Sequence, residues 1–182
     1  FEAALLASDF TDPVNGYAKY IDVDSFVDWY LINEITKNVD SKDFSSIYFH
    51  LVPGEKIKMG PLWDFDLSFG NVDYADSRYA QGFWVKDNPW IARLFTDKLF
   101  VEKVKTRFAY FKGNQNLVLD KIDVYADKVN LAQQENDDKW QTLGKYVWPN
   151  PLVFDTYNEE VTHLKTWYSQ RMTWLEGALN NL

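Results

Sequence analysis

One helical stripe near the start of the chain constrains the fold most. Val23, Phe26, Val27, Tyr30, Leu31, Glu34 and Ile35 recur at three- and four-residue intervals, the repeat that gathers side chains on one face of an α-helix. Six of the seven are apolar or aromatic, so the pattern predicts a buried helix with other elements packed around it. Asp22 or Asp24 can cap its start. The pattern stops near Lys37-Asn38, where Val39-Asp40-Ser41 begins an irregular polar loop. A chain of 182 residues, 46% hydrophobic and 18% aromatic, has enough material for a single domain around such a helix and too little for two.

Local signals order the rest. Phe1 to Ala7 reads as a helix that breaks at Ser8-Asp9, and Asp12-Pro13 with Asn15-Gly16 marks a turn. Ile47 to Val52 is rich in β-branched and aromatic residues and reads as a strand. Pro53-Gly54 turns the chain, and Lys56-Ile57-Lys58-Met59 alternates on the way back, so a hairpin is expected. Residues 70–88 lack periodicity and predict a long ordered loop, the kind that is commonly functional. Asn88-Pro89 starts a helix. A second start at Asp97 leads through Phe100, Val101, Val104, Phe108 and Phe111 to Lys112-Gly113. A third helix is expected from about Gln115 to Asn136, burying Leu119, Ile122, Tyr125, Ala126 and Val129. The last begins near Asp155 and carries Val161, Leu164, Trp167, Tyr168, Met172 and Leu175 inward. The fold class is therefore α+β and mainly helical, with one hairpin and one acidic loop.

Composition removes several functions. Lys plus Arg number 19 against 27 Asp plus Glu, a net charge of −8, and such a surface repels phosphate backbones, so nucleic acid is not an expected partner. With no Cys, disulfides and thiolate metal sites are excluded. No apolar run approaches the roughly 20 residues of a transmembrane helix. The chain starts at Phe1, already in helical sequence and without a leader, so it is expected to be a piece of a longer protein.

The hairpin leads into Met59 to Asn71, read as Met-Gly-Pro-Leu-Trp-Asp-Phe-Asp-Leu-Ser-Phe-Gly-Asn. In extended backbone Asp64 and Asp66 share a face, where they repel unless a cation or hydrogen-bond donors intervene. Magnesium and similar hard cations take such oxygen ligands. A polar turn with these acids capping backbone amides is the other reading. Asp40, in the loop before the hairpin, can lie at the same end as Asp64. Protein kinases arrange a catalytic acid and a metal-binding acid in this way, although topology alone supports only an analogy. A glycosidase pair is disfavoured, because backbone geometry spaces such neighbours at roughly 6–7 Å and nothing else marks a sugar cleft. His50 and His163 have no second His or Cys to complete a ligand set. Trp84, Trp90, Trp140 and Trp148 lie in loops or near helix ends and are candidates for an exposed platform. Such a platform would suit a non-catalytic surface module binding glycan or a surface protein.

Several segments, in order, resemble the CotH kinase family, the spore-coat-protein-H-like atypical kinases. They are Tyr20-Ile21-Asp22-Val23-Asp24-Ser25-Phe26, Asn38-Val39-Asp40, Gly60-Pro61-Leu62-Trp63-Asp64-Phe65-Asp66 and Phe69-Gly70-Asn71. The closing helix, with Glu160-Val161, Leu164-Lys165, Trp167 and Arg171-Met172-Thr173-Trp174-Leu175, is also similar. The Trp-Asp-Phe-Asp block is the most specific part, and the chain looks closest to the Bacteroides-type versions. The resemblance implies a protein-kinase-like large lobe whose hairpin carries the acidic loop. It also implies ATP with Mg or Mn as cofactors, and a protein substrate phosphorylated on Ser or Thr. By position, Asp40 matches the catalytic acid and Asp64 the metal-binding acid, with Asp66 beside it. Where the spore-coat members have an Asn five residues after the catalytic acid, this chain has Ser45, and a hydroxyl is a weaker metal ligand. The family's small lobe has no counterpart here, so the chain alone is expected to bind ATP poorly and to be inactive. Family members of this type look exported, which implies a cell-surface or periplasmic location.

Overall fold

The structure, a computed structural model describing residues 1–43 and 45–182, has the predicted stripe helix at its centre. The elements are α1 (Glu2–Leu6), α2 (Val23–Thr36), β1 (Phe49–His50), β2 (Lys58–Met59), α3 (Pro89–Leu94), α4 (Lys98–Gly113), α5 (Gln115–Trp140) and α6 (Tyr157–Asn180). α2 packs on α4 and α6, with Phe26, Tyr30 and Leu31 fully buried. Of its two candidate caps, Asp22 is the one used, accepting the Ser25 N–H at 3.0 Å. The later helices begin where their capping residues predict. Asn88 accepts the Trp90 N–H at 3.1 Å and Asp97 accepts the Leu99 N–H at 2.9 Å. Thr156 and Glu159 form a reciprocal capping box at the start of α6. Among the described residues no helix is long and apolar enough to cross a membrane.

Two expectations change. The hairpin is antiparallel but reduced to the pairs Phe49↔Met59 and His50↔Lys58. Among the described residues no third strand extends it, and a two-stranded ribbon gains little from its own pairing; Phe49, Leu51 and Val52 stay largely exposed. The second change concerns α5. It runs on to Trp140, and none of its residues is buried. α5 meets α6 and the end of α4, so the face of Ile122, Tyr125 and Val129 expected in the core lines an open groove instead.

The 70–88 loop is ordered, as expected, and three charged side chains fasten it. Arg171 of α6 and Glu34 of α2 form an ion pair with both side chains 0% exposed. The Glu34 carboxylate also accepts the successive N–H groups of Trp84, Val85 and Lys86 at 2.7, 2.8 and 3.0 Å, an anion nest at a short 3₁₀ turn. The Arg171 guanidinium donates to the carbonyls of Ala80 and Gly82 at 2.9 and 2.7 Å. Lys37, left-handed at the end of α2, donates to the carbonyls of Asp76, Tyr79 and Gln81. Burial, reinforced by Arg171 nearby, pulls its ammonium down to about 8. Where the loop turns inward its backbone polar groups need partners, and these side chains supply them.

Candidate functional site

The site begins where α2 ends. Beyond Lys37 the chain enters the loop through Asn38, which is fully buried. The Asn38 side-chain amide donates to the carbonyls of Trp63 and Asp64 at 3.3 and 3.0 Å, and its oxygen accepts the Asp40 N–H at 3.2 Å. One side chain thus ties the backbones of Asp40 and Asp64 together. The Val39 N–H donates to the Leu67 carbonyl at 3.1 Å, and the Phe69 N–H to the Thr36 carbonyl at 2.7 Å. The last carbonyls of a helix lack intrahelical partners, and the acidic loop satisfies that of Thr36. On its other flank the loop meets α6. A Cβ on Gly70, which has φ +82°, would lie 2.4 Å from the Trp167 indole nitrogen, so only glycine fits that approach.

Within this frame the two acids of the Trp-Asp-Phe-Asp block differ. Asp64 is left-handed, with φ 46°, and breaks the extended backbone on which the shared-face argument rested. Asp66 takes part in a turn: one carboxylate oxygen accepts the Leu67 N–H at 2.8 Å, and Asn71 donates to its carbonyl at 3.0 Å. The capping reading therefore describes Asp66. Asp64 is exposed and Asp40 half-buried. Among the described residues, the hydrogen bonds of both run through the backbone, leaving the carboxylates free. Ser45 is exposed, and its hydroxyl donates to the Asp40 carbonyl at 3.0 Å, which brings it to the same loop.

Tyr74 reports the local field. Burial and then the negative charges of Asp40, Asp73 and Asp66 push its phenol up. Its ring stacks on Trp148 with centroids 6.0 Å apart, and the Tyr146 phenol donates to Asp73. The loop between α5 and α6 therefore forms one wall beside the acids, a role that the sequence patterns leave unmarked. Of the four candidate platform tryptophans, Trp84 donates to the Asn38 carbonyl at 2.9 Å and Trp90 to Glu2 at 2.9 Å. Trp140 and Trp148 keep exposed faces. His50 is exposed on β1, and His163 lies beside Phe154, its imidazole held below its usual pKa by burial.

Among the described residues no group of three or more His, Asp or Glu is gathered to hold a metal unaided. Magnesium is commonly held by one or two carboxylates together with substrate phosphates and water. The free Asp40 and Asp64 carboxylates, and the remaining Asp66 oxygen, fit that partial type of site and not a closed protein cage.

A family model described as CotH kinase protein matches residues 2–175. No curated protein matches the chain, and no solved structure does. The family match covers almost the whole chain, and the chain belongs to the CotH kinase family.

Proposed function

From that membership, we propose that the chain is the large-lobe portion of an atypical protein kinase, whose intact form transfers the γ-phosphoryl group of ATP to a Ser or Thr hydroxyl of a protein. The observation that carries the reading is the Asn38 clamp, which joins the backbones of Asp40 and Asp64 through one buried amide. Asp40 would orient the acceptor hydroxyl and take its proton as the new O–P bond forms and the bond to the ADP oxygen breaks. Asp64 would hold Mg or Mn, with Asp66 beside it and the Ser45 hydroxyl as a weaker contact. The bound cation supplies charge neutralisation at the phosphates. In this reading the nucleotide-covering small lobe lies outside this chain, and the family resemblance alone suggests an exported protein.

Labelled ATP, magnesium or manganese and a Ser-rich acceptor incubated with the intact protein test the reading. Asp64→Ala and Asp40→Asn are expected to lower transfer by about a hundredfold or more, as loss of a group acting on the reacting centre does. Equal labelling by wild type and Asp64→Ala would remove the assignment. A non-catalytic glycan- or protein-binding role would draw on Trp140 and Trp148, the two candidate rings that remain exposed.

A further inference from the structure

We propose that the open groove between α5, α6 and the acidic loop seats an extended segment of the acceptor protein, with a bulky apolar side chain in the groove and a cationic one at Glu160. The proposal rests on the phosphotransfer reading and adds the substrate feature that the site would select.

The groove has a volume of about 620 Å³, within the range of about 300–1,000 Å³ common to binding sites. Ile122, Tyr125 and Val129 of α5 face Val161 and Leu164 of α6 across it. Spacings of three and four put the α5 residues on one helical face. That face is unfilled in the chain itself: Tyr125 is 58% exposed and Val129 47%. An apolar stripe left this open on an otherwise charged helix is a docking surface by its chemistry.

The position of the groove identifies its occupant. Its third wall is the acidic loop, with Phe65, Asp66 and Asn71 all lining it. A segment lying along α5 and α6 therefore reaches Asp66, two residues along the loop from Asp64. The titratable groups at the groove are Asp66, Lys121, Glu160 and His163, together with the Tyr125 and Tyr157 phenols. Among the described residues the Glu160 carboxylate has no hydrogen bond or ion pair, while its backbone N–H donates to the Thr156 carbonyl at 3.3 Å. Burial raises its carboxyl, so a cation placed there regains what desolvation costs. A nucleotide would bring its phosphates against two carboxylates, and a second copy would bring a net charge of −8. A peptide with an apolar anchor and a Lys or Arg complements both features.

The test uses the intact protein, immobilised without ATP, and a peptide library with one fixed Ser and randomised flanks. Retained peptides are expected to be enriched in Phe, Leu, Ile or Met at one fixed offset from the Ser, and in Lys or Arg at another. Tyr125→Lys with Val129→Lys alters exposed positions, so thermal melting should match wild type while retention falls at least about tenfold, the effect of losing one apolar anchor. Glu160→Gln should erase the cation preference and keep the apolar one. A flat profile, or the same enrichment in the double variant, overturns the proposal. A dimer seen by sedimentation in wild type and abolished by the double variant also overturns it, assigning the groove to a second copy. Labelled ATP then separates the two readings. Selected peptides that are never phosphorylated keep the groove and remove the kinase reading, whereas labelling without selectivity keeps the kinase and removes the groove.

Discussion

Asp64 combines a strained backbone with a free carboxylate. A left-handed conformation costs a non-glycine residue about 1–2 kcal/mol, and Asp tolerates it better than most. Strain of this kind gathers at functional positions, which agrees with the metal-binding role proposed for Asp64. Asp64→Gly is therefore expected to raise stability in urea denaturation by about 0.5–1 kcal/mol, while reducing transfer as strongly as Asp64→Ala does. A glycine variant less stable than wild type would show that the Asp64 side chain, and not the backbone, holds the loop. Asp40 and Asp64 were legible as candidates because two acids flanking a hairpin form a recognisable layout. The left-handed turn was not, since the alternation argument assumes extended backbone and no residue type marks the exception. Glu34 did leave a signal, as the one charged residue on an apolar stripe. Its partner Arg171 lies 137 positions away, beyond the reach of any local pattern.

Among the elements, the 70–88 loop shows how a segment without periodicity becomes fixed: its order is borrowed from Lys37, Glu34 and Arg171. The lysine makes this testable by pH. In the folded state its ammonium titrates near 8, against an ordinary value of 10.5, so the folded chain binds that proton less tightly than the unfolded one. Its destabilising contribution is fully present below pH 8 and is lifted as pH rises from about 8 to 10.5. The stability of wild type relative to Lys37→Met is expected to rise by about 2 kcal/mol between pH 8 and pH 10, from the free energy of a pKa difference of this size. Urea titrations of the two proteins at both values measure it, and a difference independent of pH would place the charge in a well-solvated state. Helix starts were readable because capping is local chemistry. The short hairpin and the open face of α5 were not, because each depends on what packs against it.

At the scale of the whole molecule, α2 is the hub and α5 an outrigger. Fully buried side chains and caps hold α2, whereas α5 has no buried residue and depends on contacts along one side. Local stability follows such differences. Amide hydrogens of α5 are expected to exchange at least about a hundredfold faster than those of α2, read by mass spectrometry or NMR. Equal protection of the two helices would mean that α5 unfolds only with the entire domain.

The clamp at the end of α2 has a further consequence. Thr36, Asn38 and Val39 hold the backbone on both sides of the acidic loop, so any tilt of α2 carries Asp40 and Asp64 as one piece. Among the described residues the groove wall on α5 makes no hydrogen bond to that clamp. In the proposed reading, reaction geometry rests on α2 and choice of acceptor largely on α5, with the acidic loop shared between them. Substitutions along α5 would therefore retune what the protein selects without moving the two acids relative to each other.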